Sequence, residues 1–331
     1  MKKFVILVAA IATIASLSSA IASRPSPARP APGSSSAAAA AKRAVFSTRT
    51  YELSDFTTLD VSNVVKVVYN QGNAYSVKLT GRADLLDEME VKATGGRLKV
   101  SARRSKKLNN LKQKDRPDGK HNFILQLTAP CLENILISGV STFETTTMMP
   151  DFLYVRLEGV SKLKANSIES QNLKMSISGC SEVHVGSVAC KEYEASVSGS
   201  SKAEIQKLTA DKRAVTNLSG ASKVAHTYLA VKDKATFNVN GASKLSLSAK
   251  DCELLEVGFS GASKGDVKFK GTAMRTWCTG ASKLDANLDC TSVQANCDGA
   301  SKINLSGTAG KVEIERGGAA TNINTSHLNQ Y

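Results

Sequence analysis

Aromatic side chains make up only 5% of the 331 residues, with a single Trp, and there are four His and seven Pro against 23 Gly. So few aromatics and histidines leave little with which to stack nucleobases or to hold haem or flavin. No nucleic-acid partner is therefore expected. The small aliphatic, Ser and Gly content suits short stacked strands better than a conventional globular enzyme. After residue 22 no apolar run approaches the roughly 18 residues that span a bilayer, which excludes a polytopic membrane protein. The seven cysteines contain no Cys-x-x-Cys pair, so zinc is not indicated. Phosphate-binding glycine loops, HExxH and GxSxG are missing as well. Neither a metal nor another cofactor is expected.

The N-terminus reads as an export signal. Lys2 and Lys3 form a charged start, Phe4 to Leu17 an apolar core, and Ala20-Ile21-Ala22 a cleavage site before Ser23. No Cys sits at that junction, which argues against a lipoprotein anchor. Residues 23–45 are a Pro/Ser/Ala tether without the means to form a core. The expected organisation is a signal peptide over 1–22, the tether over 23–45, an N-terminal β region or irregular first coils over 46–130, a repeat domain over 131–325 and a tail over 326–331. The protein is thus expected outside the cytoplasm, in the periplasm, at the cell surface or beyond it, and not across a membrane once the signal is cleaved.

Charge is unevenly placed. The formal net charge is +14, and six basic side chains with no acidic one lie in 1–45, leaving +8 for 46–331. Residues 97–121 hold ten basic and two acidic side chains, also +8, so the remainder of the domain sums to zero. The basic character belongs to the tether and to one segment, read as a solvated loop between strands rather than a general polyanion surface.

A Gly-small-Ser-Lys signature recurs ten times, with its glycines at Gly139, Gly159, Gly179, Gly199, Gly220, Gly241, Gly261, Gly280, Gly299 and Gly318. The spacing stays between 19 and 21 residues, the mark of a repeat architecture. Before each Gly, apolar residues alternate at positions two, four and six back, as in Ile177, Met175 and Leu173. That period of two describes a strand with one buried face. After the Gly the phase breaks and the apolar alternation resumes at residues such as Leu163, Val183 and Leu245. A phase break at Gly in every copy is a corner whose backbone a Cβ would disfavour. Strand, corner and strand at this period fit an all-β, parallel β-solenoid (β-helix) of about ten coils, each of ~20 residues, stacked roughly 4.8 Å apart. Residues 46–130 lack the signature but read as strands, with turns at Asn70-Gln71-Gly72-Asn73 and Gly95-Gly96 and a short helical turn near 84–89, and cover one end of the stack.

The order of parts resembles a known family. F-x-x-L-x-V-S-x-V-V-K-V-x-Y-x-Q-G at Phe56–Gly72 is followed by V-K-L-T-G at 77–81, by L-x-N-I-L-I-S-G-V-S at 132–141 and then by the SGxS coils. This is similar to the putative auto-transporter adhesin, head GIN domain family, formerly a domain of unknown function and common among Bacteroidetes. The resemblance covers about 46–325 and implies a right-handed β-solenoid in an exported, adhesin-like protein. The Ser-Lys of the repeats departs from the family's more usual S-G-A-G-x-I. No barrel-forming segment follows the last coil before Tyr331, so self-translocation through an outer membrane is not expected.

Stacking turns each repeat position into a column. One column would carry Lys162, Lys202, Lys223, Lys244, Lys264, Lys283 and Lys302, interrupted by Glu182. Such a row suits an acidic glycan or lipopolysaccharide, and it equally guards an exposed face against sheet stacking. The adjoining serines, Ser141 to Ser301, would satisfy corner backbone groups. Cys278 and Cys297 share one inward slot on successive coils, within range of a possible disulfide. Glu158 and Asp298, the acids that precede corner glycines, lie seven coils apart, too far for a pair of catalytic carboxylates. His184 and His226 have no partner constellation. The expected function is a non-catalytic envelope or surface module, an adhesin or glycan binder. A scaffold for envelope proteins is the alternative, and a β-helix carbohydrate-active enzyme a third possibility.

Overall fold

A computed structural model describes residues 44–103, 108, 110–318 and 320–331. The signal peptide, and the tether up to residue 43, lie outside the described residues.

The unit of the fold is clearest in the strand Lys162–Ile177. Its inward side chains are Leu163, Ala165, Ile168, Leu173, Met175 and Ile177, all buried. The alternation changes phase at Asn166 and Gln171, and the pairing with Glu182–Val197 skips those same two positions. One 16-residue strand therefore bends twice and forms three pleated segments around an apolar centre. Each fully buried Leu, Ile or Val of that centre contributes roughly 1.5–3 kcal/mol. The next coils repeat the arrangement in parallel register through Lys202–Leu218, Lys223–Val231, Lys234–Val239, Lys244–Phe259, Lys264–Cys278, Lys283–Cys297, Lys302–Arg316 and Asn322–Gln330. The chain is all-β, a parallel β-solenoid of about ten turns.

The corner depends on glycine for two reasons. From Gly139 to Gly299 the nine successive corner glycines have φ between 69° and 80°, the left-handed region. A Cβ on any of Gly159 to Gly299 would also stand only 2.5–2.9 Å from the carbonyl oxygen of the corner glycine one coil before. Gly318, in the degenerate last copy, does not adopt a left-handed φ. From Gly139 to Gly299 the residue after the Gly points outward, and Val140 and Val160 are more than half exposed. The following Ser turns inward: Ser161 Oγ donates to Glu158 O at 2.7 Å and Ser181 Oγ to Ser178 O at 2.8 Å.

The N-terminal strands are β1 (Phe46–Tyr51), β2 (Thr58–Val61), β3 (Val65–Gln71), β4 (Ser76–Arg82), β5 (Met89–Thr94), β6 (Arg97–Ala102) and β7 (Phe123–Ala129). They lead to β8 (Asn134–Ile137) and β9 (Thr142–Met148), which flank the first corner glycine. β2 and β3 form a full coil, with Leu59 in register with Ile135 and Val67 with Phe143. Its corner residue is Asn63 at φ 85°, directly against Gly139. Asn tolerates this conformation better than other residues with a Cβ. β6 and β7 lie on the far side of that coil, pairing in parallel with β2 and β3. Phe123–Leu127, which reads in sequence as a lead into the first repeat, is therefore one layer further out. Antiparallel β4 on β7, β1 on β4 and β5 on β6 complete this end. β6 and β7 thus flank the position that Asn63 and Gly139 hold in the next two layers, and the chain between them is longer, 103–122.

Gly220→Ala places a Cβ at φ 73° and 2.6 Å from the Gly199 carbonyl, which should destabilise by about 2–5 kcal/mol. Gly95→Ala, at φ 58° with nothing within 4 Å, should cost only about 1 kcal/mol. Urea midpoints of the two variants would separate close approach from backbone strain; equal losses would contradict this reading of the corner.

Candidate functional site

The lysine column starts the segment after each corner. In register it reads Lys66, Thr142, Lys162, Glu182, Lys202, Lys223, Lys244, Lys264, Lys283, Lys302 and Asn322. The structure thus brings all seven sequence-predicted lysines together and adds Lys66, whose coil lacks the signature.

The column divides by electrostatic environment. Toward the capped end its members are neutralised. Lys66 Nζ lies 2.7 Å from Glu144, Lys162 Nζ 2.6 Å from Glu182, and Lys202 Nζ 2.7 Å from Glu204. His184 bridges Glu182 at 3.4 Å and Glu204 at 3.0 Å. The hydrogen bond from Lys162 holds the Glu182 carboxyl below its ordinary range, and the bond to Glu204 raises the Lys202 ammonium. Beyond Glu204 the neighbouring outward column changes to Ala225 and Ser246 and returns to an acid at Asp266, two residues after Lys264. Among the described residues Lys223, Lys244 and Lys264 make no ion pair, and all three are exposed. Lys283 then binds Asp285 at 2.7 Å, and Lys302 lies within electrostatic reach of the same carboxylate. Three stacked ammonium groups, roughly 4.8 Å apart along the stack, are thus without an ion pair, and two of them, Lys223 and Lys244, have a neutral residue two positions on.

The serine column belongs to the interior. Ser141, Ser161, Ser181, Ser201, Ser222, Ser243, Ser263, Ser282 and Ser301 are all buried, so their hydroxyls are out of reach of a surface ligand. Cys278 and Cys297 are Cα partners on neighbouring strands, and both thiols are buried and free. Burial pushes the Cys278 thiol up to about 12, which leaves little of the thiolate that disulfide exchange requires. Glu158 is ion-paired with Arg156, and Asp298 accepts the Gly299 N–H at 2.7 Å. Both acids are thus engaged locally.

Two features were missed in the sequence. Near the capped end, His121 Nδ1 lies 2.7 Å from Asp118 and Nε2 3.0 Å from Thr142 Oγ1. The order carboxylate, imidazole and hydroxyl is that of a hydrolytic triad, but Thr142 is buried within the sheet. We read the relay as a clamp that pins the basic corner segment to the lysine column at the position where Thr replaces Lys. Partial burial pushes the Asp118 carboxyl up, yet the N–H groups of His121 and Lys120 and the His121 ring outweigh it and bring it to about 2. The second feature is Trp277, which projects outward on the segment before its corner and is 38% exposed. Reading outward residues by column would have exposed Trp277 beside Gly258.

His226 is a core residue, enclosed by Tyr193 and Phe237 with ring centroids 6.3 and 5.9 Å away. Burial lowers its pKa to about 4, against ~6.5 in the unfolded chain. Between those values the unfolded state binds the extra proton. Stability should therefore fall as pH drops from about 6.5 toward 4, on the order of 2–3 kcal/mol. Denaturant melts at pH 7.5 and 4.5 would show this loss, and His226→Leu should remove most of it. An unchanged pH dependence in the variant would reject the assignment.

A family model described as "Putative auto-transporter adhesin, head GIN domain" matches residues 55–250 and 228–330. Among curated proteins nothing matches. Two crystal structures of Parabacteroides distasonis proteins share the fold. One, called a putative lipid binding protein, is 15% identical with a TM-score of 0.56 over 84% of this chain and 96% of its own. The other, called a putative adhesin, is 14% identical with a TM-score of 0.52 over 85% of this chain and 97% of its own. Among the described residues no helix is long and apolar enough to cross a membrane.

Proposed function

The chain belongs to the putative auto-transporter adhesin, head GIN domain family, and on that premise we propose that it is an exported, non-catalytic surface module that holds an acidic glycan along its lysine column. The observation that carries this reading is the run Lys223, Lys244 and Lys264, stacked in register without an acid partner among the described residues. Like charges at this spacing repel by roughly 0.8 kcal/mol per neighbouring pair in water. Every other part of the column except Lys302 is relieved by a carboxylate in direct contact. A polymer that presents one anionic group per coil, such as a polyuronate or the phosphorylated sugars of lipopolysaccharide, would relieve this run in the same way. Because the parallel stack fixes the rungs, the protein would lose little conformational freedom on binding beyond the lysine side chains themselves.

A surface of this kind binds through exposed charges, so its affinity falls with ionic strength. The purified protein should be retained on immobilised alginate or lipopolysaccharide at low salt, released at high salt, and not retained on dextran. Replacing Lys223, Lys244 and Lys264 together by Gln should weaken retention at least about tenfold, which is ~1.4 kcal/mol. The variant should fold normally, since it removes only repulsive neighbours. Retention that the variant leaves unchanged would move the site to the basic corner near the capped end. No retention on either anionic support would overturn the glycan reading and favour a scaffold for envelope proteins.

A further inference from the structure

On the segment that precedes each corner, one outward column reads Asn217, Asn238, Gly258, Trp277, Asn296 and Glu315 in register. Trp277 is the only tryptophan of the chain, and it stands beside the one glycine in this column. A Cβ on Gly258 would overlap Cε2, Nε1 and Cζ2 of the indole. Those atoms span both rings, so the indole occupies the space that a side chain at 258 would take, over the bare backbone of the neighbouring coil. Covering that backbone occupies the inner face of the ring. The outer face stays open, and the residue is 38% exposed.

The surroundings are polar and nearly neutral. Asn238 donates to Asn217 at 2.9 Å and Asn296 to Glu315 at 2.8 Å. Both donors retain a side-chain carbonyl oxygen that has no partner among the described residues. Arg275 lies two residues before Trp277 on its strand and so shares its outward face, while Thr279, just past the end of the strand, donates its hydroxyl to Phe259 O at 3.4 Å. The nearby charges offset one another, with Glu256 2.8 Å from Lys234 and 3.6 Å from Arg275. An aromatic surface with a rim of amide groups and mutually paired charges matches one ligand chemistry well. A pyranose ring presents polarised C–H groups to the negative face of an aromatic, while its hydroxyls reach outward to hydrogen-bonding neighbours.

We propose that Trp277, seated on Gly258, is a stacking platform for a neutral hexopyranose unit of a glycan, with Asn238 and Asn296 flanking it on neighbouring coils. This site is separate from the lysine column. Trp277 precedes the Gly280 corner and Lys283 follows it, so the two side chains project from different faces of the same turn. Either site can fail without the other.

The lone tryptophan makes the test direct. The full chain would be titrated with cellohexaose, maltohexaose and chitohexaose while intrinsic Trp emission is followed. A saturable change with at least one oligosaccharide is expected. Trp277→Ala should weaken retention on the matching immobilised polysaccharide about tenfold and Trp277→Phe much less, in line with the worth of one aromatic stack. Gly258→Ala should also weaken binding, because its Cβ displaces the ring while Trp277 itself is kept. The Lys223, Lys244 and Lys264 triple variant should bind these neutral sugars unchanged. No saturable emission change with any of the three, or retention unaffected by both Trp277→Ala and Gly258→Ala, would overturn the proposal. So would an emission change that appears only with a protein partner.

Discussion

Contact between successive corner glycines is the constraint on which the rest of the structure depends. The corners approach so closely that a Cβ at Gly159 to Gly299 would meet the previous corner's carbonyl oxygen at 2.5–2.9 Å. This approach allows the amide after each corner to donate to the glycine carbonyl one coil back, as Cys180 N does to Gly159 O at 2.8 Å. It also turns the following Ser inward to occupy backbone acceptors that would otherwise be buried without partners. With the corners in register, every other position must be in register too. The apolar columns then close the core, and whatever faces outward becomes a periodic array.

Such an array amplifies a single choice of residue. A lysine at one exposed strand position is unremarkable, but the same choice repeated through the stack creates a linear charge density. The protein treats that density differently along its length. Glu144, Glu182, Glu204 and Asp285 neutralise their lysines by direct contact, whereas Ala225 and Ser246 stand beside Lys223 and Lys244, and Lys264 makes no ion pair with the Asp266 that follows it. If the lysines served only to keep the face soluble, relief by alternate acids would be as useful in the middle as at the capped end. The change from acid to small neutral residues beside Lys223 and Lys244 is the feature on which the proposed binding surface rests.

Much of this was legible in the sequence because a solenoid converts sequence period directly into spatial neighbourhood. The glycines, the inward alternation at Ile177 or Val257, and the membership of the lysine column all follow from a 20-residue period. Where the correspondence fails, geometry rather than pattern decides. Asn63 stands in for glycine because it tolerates a left-handed φ, so the coil of β2 and β3 carries no signature and Lys66 goes unseen. β7 lies beyond β3 although it follows it in the chain, since the long connection through 103–122 permits the strand order to depart from the sequence order. The clamp from Asp118 through His121 to Thr142 joins residues with no shared period. Trp277 was visible as a letter, but its significance required the column, where Gly258 clears the space beneath the ring.

The two ends of the stack restrict where a partner can dock. At the capped end the parallel layers give way to antiparallel β1, β4 and β5, which interrupts any continuation in parallel register. At the other end Asn322–Gln330 pairs only with the first part of Lys302–Arg316, and residues 311–316 have no further strand beside them among the described residues. That stretch alternates charge with small apolar groups, and Lys311 pairs with Glu313 at 2.6 Å. Inserted charges of this kind are the usual means of discouraging edge-to-edge addition. The flanks face no such restriction: they are straight, regular and offered over the full height of the stack. A protein built this way presents its chemistry sideways, which is the geometry that the proposed binding of an extended polymer, one equivalent site per coil, requires.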